Sequence, residues 1–358
     1  MNLKSILNLF SILVLFFSFS FIFPIIVSII YEDGALHLFL KTLIIVASIG
    51  FIGFFFTRKV KSELSQKDGF LIIVMFWVVL STVGSVPFYL SGMSAIDSFF
   101  ESMSGITTTG ATVIANIDIL PESILFYRQL LQWMGGMGLI VLAIAVMPLL
   151  GIGGGQLYKT EIPGAMKEQK LTPRIKETAQ ALWVIYLGLT VACCLMYYIN
   201  GMTFFDAVSH AMSTVAIGGF STHNESIGFY NSISIEFICM VFMLLSSFSF
   251  TLHYFAIYKR KPLKYIYDPE LRFFISIIVL ILVFSSLISV FSDSSVSPSS
   301  WELLFHTISM VTTTGFSSSD TANWPFSISF LLLVGAFIGA CSGSVGGGVK
   351  SWRVMIML

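Results

Sequence analysis

Long uninterrupted runs of apolar residues constrain the fold of this chain more than any other feature. Several blocks reach 20 residues or more, the length that a helix needs to cross a hydrocarbon core of about 30 Å. The chain is 56% hydrophobic and 11% charged, whereas soluble domains carry about 25% charged residues. The sequence therefore predicts an all-α integral membrane protein whose surroundings are a lipid bilayer. Its zero net charge gives no indication of nucleic-acid binding.

The apolar blocks predict the spans and the basic residues predict their orientation. We predict full spans at about 6–30, 37–56, 69–91, 123–150, 178–200, 232–258, 270–292 and 326–356. With a cytosolic N-terminus, the inner segments hold all but two of the 19 basic residues, the exceptions being Lys41 and Arg128. Because basic residues are retained on the cytoplasmic side, we predict a multi-pass protein of the inner (cytoplasmic) membrane with its N-terminus in the cytosol.

Three outer loops, near 94–118, 203–230 and 299–324, share one pattern. They align without gaps on Gly110, Gly219 and Gly315. The shared polar positions fall before and after these glycines. They are Ser94, Thr203 and Ser299; Asp97, Asp206 and Glu302; Glu101, His210 and His306; Ser104, Ser213 and Ser309; and Thr112, Ser221 and Ser317. The loops are therefore interpreted as an internal repeat. A repeat of this kind indicates the architecture of the whole chain, so it is considered before any other feature.

The repeated pattern predicts a re-entrant helix followed by a Thr/Gly segment. Ser or Thr followed three residues later by an acid is a capping box, which starts a helix. About eleven helical residues follow, roughly 17 Å or half a membrane. The helix C-terminus then carries partial negative charge at the membrane centre, and backbone carbonyls can replace the hydration shell of a cation. One copy alone favours an ordinary turn, but three aligned copies favour an ion-selectivity filter.

At this point the chain resembles the Trk/Ktr/HKT superfamily of potassium transporters. The stretches 100–112, 128–138 and 213–222 are similar to its TrkH-like branch. The resemblance implies helix–pore loop–helix units around a pore, preceded by an extra pair of transmembrane helices. It also implies that the ion-facing carbonyls belong to Thr108, Thr109 and Gly110, to Ile217, Gly218 and Gly219, and to Thr313, Thr314 and Gly315. Glycine at position 110 goes with a preference for K⁺, whereas serine there goes with Na⁺.

The resemblance further implies a homodimer that sits on a cytosolic, nucleotide-binding ring protein similar to TrkA. The superfamily has four pore repeats, and residues 1–358 contain three. We therefore expect either that these residues are a fragment or that another chain supplies the fourth repeat. The predicted boundaries are 1–68 for the N-terminal helix pair, 69–154 for pore repeat 1, 155–177 for a cytosolic loop, 178–258 for pore repeat 2, 259–269 for a second cytosolic loop, and 270–358 for pore repeat 3.

The last predicted span is interrupted by a glycine-rich stretch at mid-membrane depth. Irregular backbone is tolerated there only where it is buried in protein or lines a cavity. The resemblance implies that this stretch gates the pore below the filter, through Gly343, Ser344, Gly346, Gly347, Gly348 and Lys350. Plain close packing of glycines is the main alternative. A nucleotide-binding loop is disfavoured because Val349 separates the last glycine from Lys350.

Charged residues near the loops are interpreted as support for the pore helices. These are Asp97, Glu101, Arg128, Asp206 and Glu302. Because a charge within a membrane usually has a partner, Arg128 is predicted to pair with Glu101; the alternative is that it reaches the outer surface. His210 and His306 occupy the position of Glu101 in the other repeats and are interpreted as packing residues. We predict no transition-metal site and no cofactor, with K⁺ as the transported ion.

The predicted function is K⁺ uptake without enzymatic activity. A Na⁺-permeable protein and a secondary transporter coupled to H⁺ or Na⁺ are the nearer alternatives, since broken helices at the midplane are typical of coupled transporters too. A membrane-embedded enzyme is disfavoured because the spans lack converging acids, bases or metal ligands.

Overall fold

The computed structural model describes residues 3–58, 66–138, 175–291 and 297–358, and all of the regular elements in these ranges are helical. The helices are α1 (Leu3–Ser18), α2 (Ile22–Tyr31), α3 (Leu36–Thr57), α4 (Gln66–Gly84), α5 (Val86–Leu90), α6 (Ala95–Ile106), α7 (Glu122–Trp133), α8 (Ile175–Ile199), α9 (Phe204–Val215), α10 (Ile233–Ser247), α11 (Phe250–Ile257), α12 (Lys264–Tyr267), α13 (Pro269–Phe291), α14 (Ser300–Val311), α15 (Phe326–Ile338) and α16 (Ser351–Met357). The predicted all-α class is confirmed.

Four helical stretches in the described ranges are long and apolar enough to cross a membrane. They are Leu3–Tyr31, Leu36–Thr57, Gln180–Ile199 and Pro269–Phe291. Each agrees with a predicted span. Large apolar side chains on them are exposed, for example Ile44, Phe56 and Val279, and apolar surface on this scale marks contact with a membrane or a partner.

The predicted span 69–91 coincides with α4 and α5, whereas 232–258 and 326–356 differ from the structure in informative ways. The predicted continuous span 232–258 is wrong, because α10 and α11 meet at an angle of 95°. Phe248, between them, has the extended backbone of a strand residue, with φ −77° and ψ 154°. The predicted span 326–356 is interrupted, as expected, but from Gly339 onward rather than from Gly343. The second half of the predicted span 123–150 lies outside the described residues, as does most of the predicted loop 155–177.

The buried apolar side chains form two clusters. One joins α1 to α7, with Phe21, Phe39 and Tyr127 at its centre, and the other joins α8 to α15. Helix α7 also packs against α9 of the second half. Helix α7 therefore lies where the two halves meet, which brings its polar side chains close to the second outer loop. The predicted domain boundaries stay predictions.

Candidate functional site

The three short helices α6, α9 and α14 begin at the predicted N-caps. At each one a hydroxyl accepts a hydrogen bond from the amide three residues on: Ser94 from Asp97 at 3.1 Å, Thr203 from Asp206 at 3.1 Å, and Ser299 from Glu302 at 3.2 Å. The reciprocal half of the capping box forms at α14, where Glu302 accepts from the Ser299 amide at 2.8 Å. At α6 and α9 the prediction of a full box needs correction: the shorter aspartate side chain accepts from the cap hydroxyl instead.

The segments that follow these helices, 107–112, 216–221 and 312–317, are named here the first, second and third filter segments after the role predicted for them. In each, an amide one residue before the central glycine donates to the carbonyl of the shared serine: Thr109 to Ser104 at 2.9 Å, Gly218 to Ser213 at 2.9 Å, and Thr314 to Ser309 at 2.8 Å. Positive φ values recur two residues before the glycine, at Thr108 (54°), Ile217 (53°) and Thr313 (66°). Positive φ is uncommon for non-glycine residues, and for a β-branched one it is a genuine outlier. One unusual backbone conformation is therefore shared by two different sequences, Thr-Thr-Thr-Gly in the first and third segments and Ala-Ile-Gly-Gly in the second.

The filter segments lie side by side in chain order. A Cβ atom on Gly110, whose φ is +78°, would lie 2.2 Å from the carbonyl oxygen of Gly218. One on Gly219, whose φ is +79°, would lie 2.1 Å from the carbonyl oxygen of Thr314. Glycine is thus required at both positions by conformation and by space. Gly315 has φ +85°, but no described atom lies within 4 Å of the corresponding point. The outer flank of the third segment is open within the described part of the chain.

The predicted ion pair between Arg128 and Glu101 is present and fully buried. Arg128 Nε donates to Glu101 Oε1 at 2.7 Å, and both side chains have 0% exposure. Glu101 also accepts from the Thr112 hydroxyl at 2.9 Å. Arg128 Nη1 donates to the Ser221 carbonyl at 3.1 Å, and the guanidinium lies 4.2 Å from the centre of the Phe220 ring. The pair therefore connects the first pore helix to both the first and the second filter segments.

Gln132 is a contact of the second segment that the sequence reasoning missed. Its Nε2 donates to the Gly218 carbonyl at 2.6 Å, and its Oε1 accepts from the Ser213 hydroxyl at 2.7 Å and from the Phe220 amide at 3.2 Å. A carbonyl oxygen has two lone pairs, so the Gly218 carbonyl keeps one acceptor site beyond this bond. Gln132 lies four residues after Arg128 on one face of α7. That spacing was the signal available in the sequence.

Comparison with known proteins identifies the family to which this architecture belongs. The TrkH family, described as cation transport proteins, matches residues 36–358. The chain belongs to the TrkH family. It is 48% identical over 362 residues to the Trk system potassium uptake protein TrkH of Halomonas elongata and 45% identical to that of Escherichia coli, covering all of this chain and 75% of each relative. The crystal structure of the potassium transporter TrkH from Vibrio parahaemolyticus superimposes with a TM-score of 0.86 at 44% identity, covering 100% of this chain and 74% of that one.

In this TrkH-family chain the glycine-rich stretch 339–350, named here the Gly-rich loop, lies against the filter segments. The Gly347 amide donates to Thr313 Oγ1 at 2.7 Å. The Lys350 ammonium donates to the carbonyls of Gly346 at 2.6 Å and Ser344 at 3.3 Å. Lys350 has a positive φ of 78°. The loop therefore folds around its own lysine, which provides the positive charge that its carbonyls need.

Two further contacts hold the ends of the Gly-rich loop. Glu270, at the start of α13, accepts from the amides of Ser342 and Trp352, the latter at 3.2 Å. The break between α10 and α11 pairs with the same region: Cys341 donates its amide to the Ser247 carbonyl at 3.1 Å, and Phe250 donates its amide to the Gly343 carbonyl at 3.0 Å. These bonds satisfy backbone groups that the bend frees, which is the physical reason that a 95° bend is tolerated here.

His210 and His306 lie on α9 and α14, and His223 follows the second filter segment. His210, predicted as a packing residue, is fully buried and contacts the Asp206 carbonyl at 3.0 Å and Ser221 Oγ at 2.9 Å. His223 bridges two loops, with Nδ1 3.2 Å from Asp118 Oδ1 and Nε2 3.5 Å from Asp206 Oδ1. His306 is also buried, with its ring 4.8 Å from that of Trp324. Repeat-equivalent positions thus serve as packing contacts against the loop that follows each pore helix.

Proposed function

We propose that this protein takes up K⁺ across the cytoplasmic membrane through a filter lined by backbone carbonyls. The observation that carries the proposal is the shared conformation of the three filter segments, which lie side by side with their central glycines at positive φ. Relatives that are 45–48% identical over the whole chain are named potassium uptake proteins, which supports K⁺ as the ion.

The proposed ion ligands are the carbonyls predicted from the sequence, at positions 108–110, 217–219 and 313–315. Each segment begins at the C-terminus of a capped helix, whose partial negative charge favours a cation. Each helix is twelve residues long, too short to cross a bilayer, so its end lies at mid-depth. Gly110 supports K⁺ over Na⁺ through the resemblance stated above.

We further propose that a fourth segment closes the ring beside Gly315. The open space next to this glycine supports the proposal. A dehydrated cation needs carbonyls around its whole circumference. A flank facing lipid would also leave backbone groups without partners, at a cost of several kcal/mol each. The chain spans about three quarters of the relatives' length.

The Gly-rich loop is proposed to gate the pore below the filter. Its contact with Thr313 supports a position against the third filter segment. Two opposite charges hold the loop folded. Lys350 donates hydrogen bonds to carbonyls of the loop, and Glu270 accepts hydrogen bonds from amides at its ends. Opening then requires these bonds to be exchanged for water, which gives the loop two discrete arrangements.

We propose a cytosolic N-terminus, a homodimer and a TrkA-like, nucleotide-binding ring as partner. The inner segment between α11 and α13 supports a docking role. Lys259, Arg260 and Lys261 are exposed there, next to the exposed apolar side chains of Leu263 and Ile266. A surface that combines positive charge with apolar side chains suits an acidic partner surface. Reversing these charges is expected to weaken co-purification of the ring protein without preventing insertion.

The filter proposal is tested by substituting its glycines in the full-length protein. Gly219→Asp is expected to abolish K⁺ uptake in cells that lack other uptake systems, while the protein still inserts. Gly188→Ala is the matched control, because nothing lies within 4 Å of its Cβ position and its φ is not left-handed. Normal uptake by Gly219→Asp would refute the filter. Reversal potentials under separate K⁺, Na⁺ and H⁺ gradients distinguish simple conduction from coupled transport.

A further inference from the structure

The second filter segment differs from the other two in the side chains behind its backbone. In the first segment the hydroxyls of Thr107 and Thr109 lie 2.8 Å apart, and in the third those of Thr312 and Thr314 also lie 2.8 Å apart. The equivalent positions of the second segment are Ala216 and Gly218. It therefore has no hydroxyl pair of its own, although its backbone follows the same course.

The side chain of Gln132 lies behind the second segment. Its Cδ is 2.3 Å from the point where a Cβ atom of Gly218 would lie. Its amide reaches three groups of the same loop: the Ser213 hydroxyl, the Gly218 carbonyl and the Phe220 amide. Gln132 is fully buried, so water does not compete for these bonds. This one side chain of α7 therefore contacts both the preceding helix α9, at Ser213, and the second filter segment, at Gly218 and Phe220.

The backbone that Gln132 contacts is strained and needs external support. Ile217 is β-branched and has a φ of 53°, a conformation that persists only where the surroundings determine it. Gly218, by contrast, has no left-handed φ. Its backbone would accept a side chain, and the space that one would need is filled by Gln132. Gly218 and Gln132 therefore require each other: the small residue makes room for the amide, and the amide holds the segment.

We propose that Gln132 is a positioning residue that sets the carbonyl geometry of the second filter segment and thereby contributes to the preference for K⁺ over Na⁺. This inference rests on the proposed filter function. The amide acts through the Gly218 carbonyl and the Phe220 amide, not by contact with the ion. In the second segment the amide of Gln132, which belongs to the predicted first repeat, takes the place of the hydroxyl pair found in the other two segments.

The first experiment compares Gln132→Leu with Gln129→Leu in the full-length protein. Gln129 is on the same helix and equally buried, and its amide makes no hydrogen bond within the described residues. The K⁺-to-Na⁺ permeability ratio from reversal potentials is expected to fall about five- to ten-fold in Gln132→Leu, the scale of one buried hydrogen bond. Gln129→Leu is expected to retain the wild-type ratio.

The second experiment changes the sizes of the two residues in opposite directions. Gly218→Thr alone is expected to abolish selective uptake, because its Cβ atom collides with Gln132. Gln132→Ala removes four heavy atoms where Gly218→Thr adds three, and the new threonine brings back a hydroxyl. The double variant is therefore expected to regain most of the selectivity that Gly218→Thr loses. A residue that merely filled space would allow equal rescue by Gly218→Val with Gln132→Ala, because valine has the shape of threonine without its hydroxyl.

The outcomes separate the two proposals. A wild-type permeability ratio in Gln132→Leu, together with loss of uptake in Gly219→Asp, would overturn the positioning role and leave the filter intact. Full uptake in Gly219→Asp would overturn the filter itself. An equal loss of selectivity in Gln129→Leu, or a double variant no better than Gly218→Thr alone, would also overturn the positioning role.

Discussion

The backbone amide of Gly347 donates a hydrogen bond to Thr313 Oγ1 at 2.7 Å. One residue belongs to the Gly-rich loop and the other to the third filter segment, so the candidate gate is attached to the candidate filter by a direct bond. Gly346 lies close to the same segment, because a Cβ atom on it would be 3.0 Å from the Thr312 carbonyl oxygen. Movement of the loop therefore changes the surroundings of the filter.

Thr313→Val is expected to loosen the Gly-rich loop while the shape of the filter segment is kept. The valine removes the acceptor and leaves the Gly347 amide without its partner. A hydrogen bond within a protein contributes about 1 kcal/mol net, so amide hydrogen exchange at Gly347 is expected to quicken about five-fold. Thr108→Val, the same change at the equivalent position of the first segment, is expected to leave this exchange rate unchanged. Equal rates in Thr313→Val and the wild type would contradict the attachment.

Arg128→Met is expected to destabilise the protein strongly, because it leaves the Glu101 carboxylate buried without its partner. Breaking a buried ion pair from one side typically costs about 3–5 kcal/mol. The double variant Glu101→Gln with Arg128→Met is expected to recover a large part of this loss. Lys41→Met is the control, since Lys41 is an exposed basic residue, and is expected to change stability by less than about 0.5 kcal/mol. Thermal unfolding of the detergent-solubilised full-length protein measures all of these, and a double variant as unstable as Arg128→Met would argue against the pairing.

Glu270→Ala is expected to increase ion flux by releasing both ends of the Gly-rich loop. The carboxylate contacts the amides of Ser342 and Trp352 and the hydroxyl of Ser351. Glu270→Gln keeps one acceptor oxygen and loses the charge, so its flux is expected to lie between those of the alanine variant and the wild type. Glu225→Ala, which removes an exposed acid in an outer loop, is the control. Lower flux in a properly inserted Glu270→Ala protein would indicate a packing role for the loop instead of a gating role.

Acid pH is expected to tighten the contact between the first two outer loops. Burial opposes the charge on His223, but its hydrogen bonds and attraction to Asp206 and Asp118 outweigh burial and raise the pKa of His223 above 6.5. Because its pKa is raised on folding, the stabilisation is complete below about pH 6.5 and is lost as the pH rises through the higher folded-state value. The thermal midpoint of the wild type is expected to fall between pH 6 and pH 8 by more than that of His223→Gln. Identical pH profiles would rule out this contribution.

Gly315→Ala tests whether a fourth segment lies beside the third. At Gly219 a new Cβ atom meets both backbone strain and the Thr314 carbonyl, whereas at Gly315 only the positive φ opposes it within the described residues. In the full-length protein, a closed ring predicts that Gly315→Ala loses selectivity as completely as Gly219→Ala. A clearly milder effect of Gly315→Ala on the K⁺-to-Na⁺ permeability ratio would mean that this flank is open to water.

The local features of this protein could be predicted from neighbouring residues in the sequence. Hydroxyls at positions 94, 203 and 299 start helices because a cap needs only the next few amides, and Gly110 and Gly219 are at positive φ because such a backbone favours glycine. The Arg128–Glu101 pair was also predictable, since a lone charge within a membrane needs a partner. The break of the last span followed from glycine density alone.

The contacts between distant parts of the chain could not be predicted in this way, because they depend on how the helices pack. The bend between α10 and α11 is stable because residues 341–343 supply its missing hydrogen-bond partners, and a run of apolar residues such as 232–258 carries no sign of them. The spacing of Gln132 from Arg128 places both on one face of α7, but only the packing of α7 and α13 brings Gln132 to Gly218 and Glu270 to the Gly-rich loop. Local hydrogen bonds are encoded by neighbouring residues, whereas long-range ones depend on how whole helices pack.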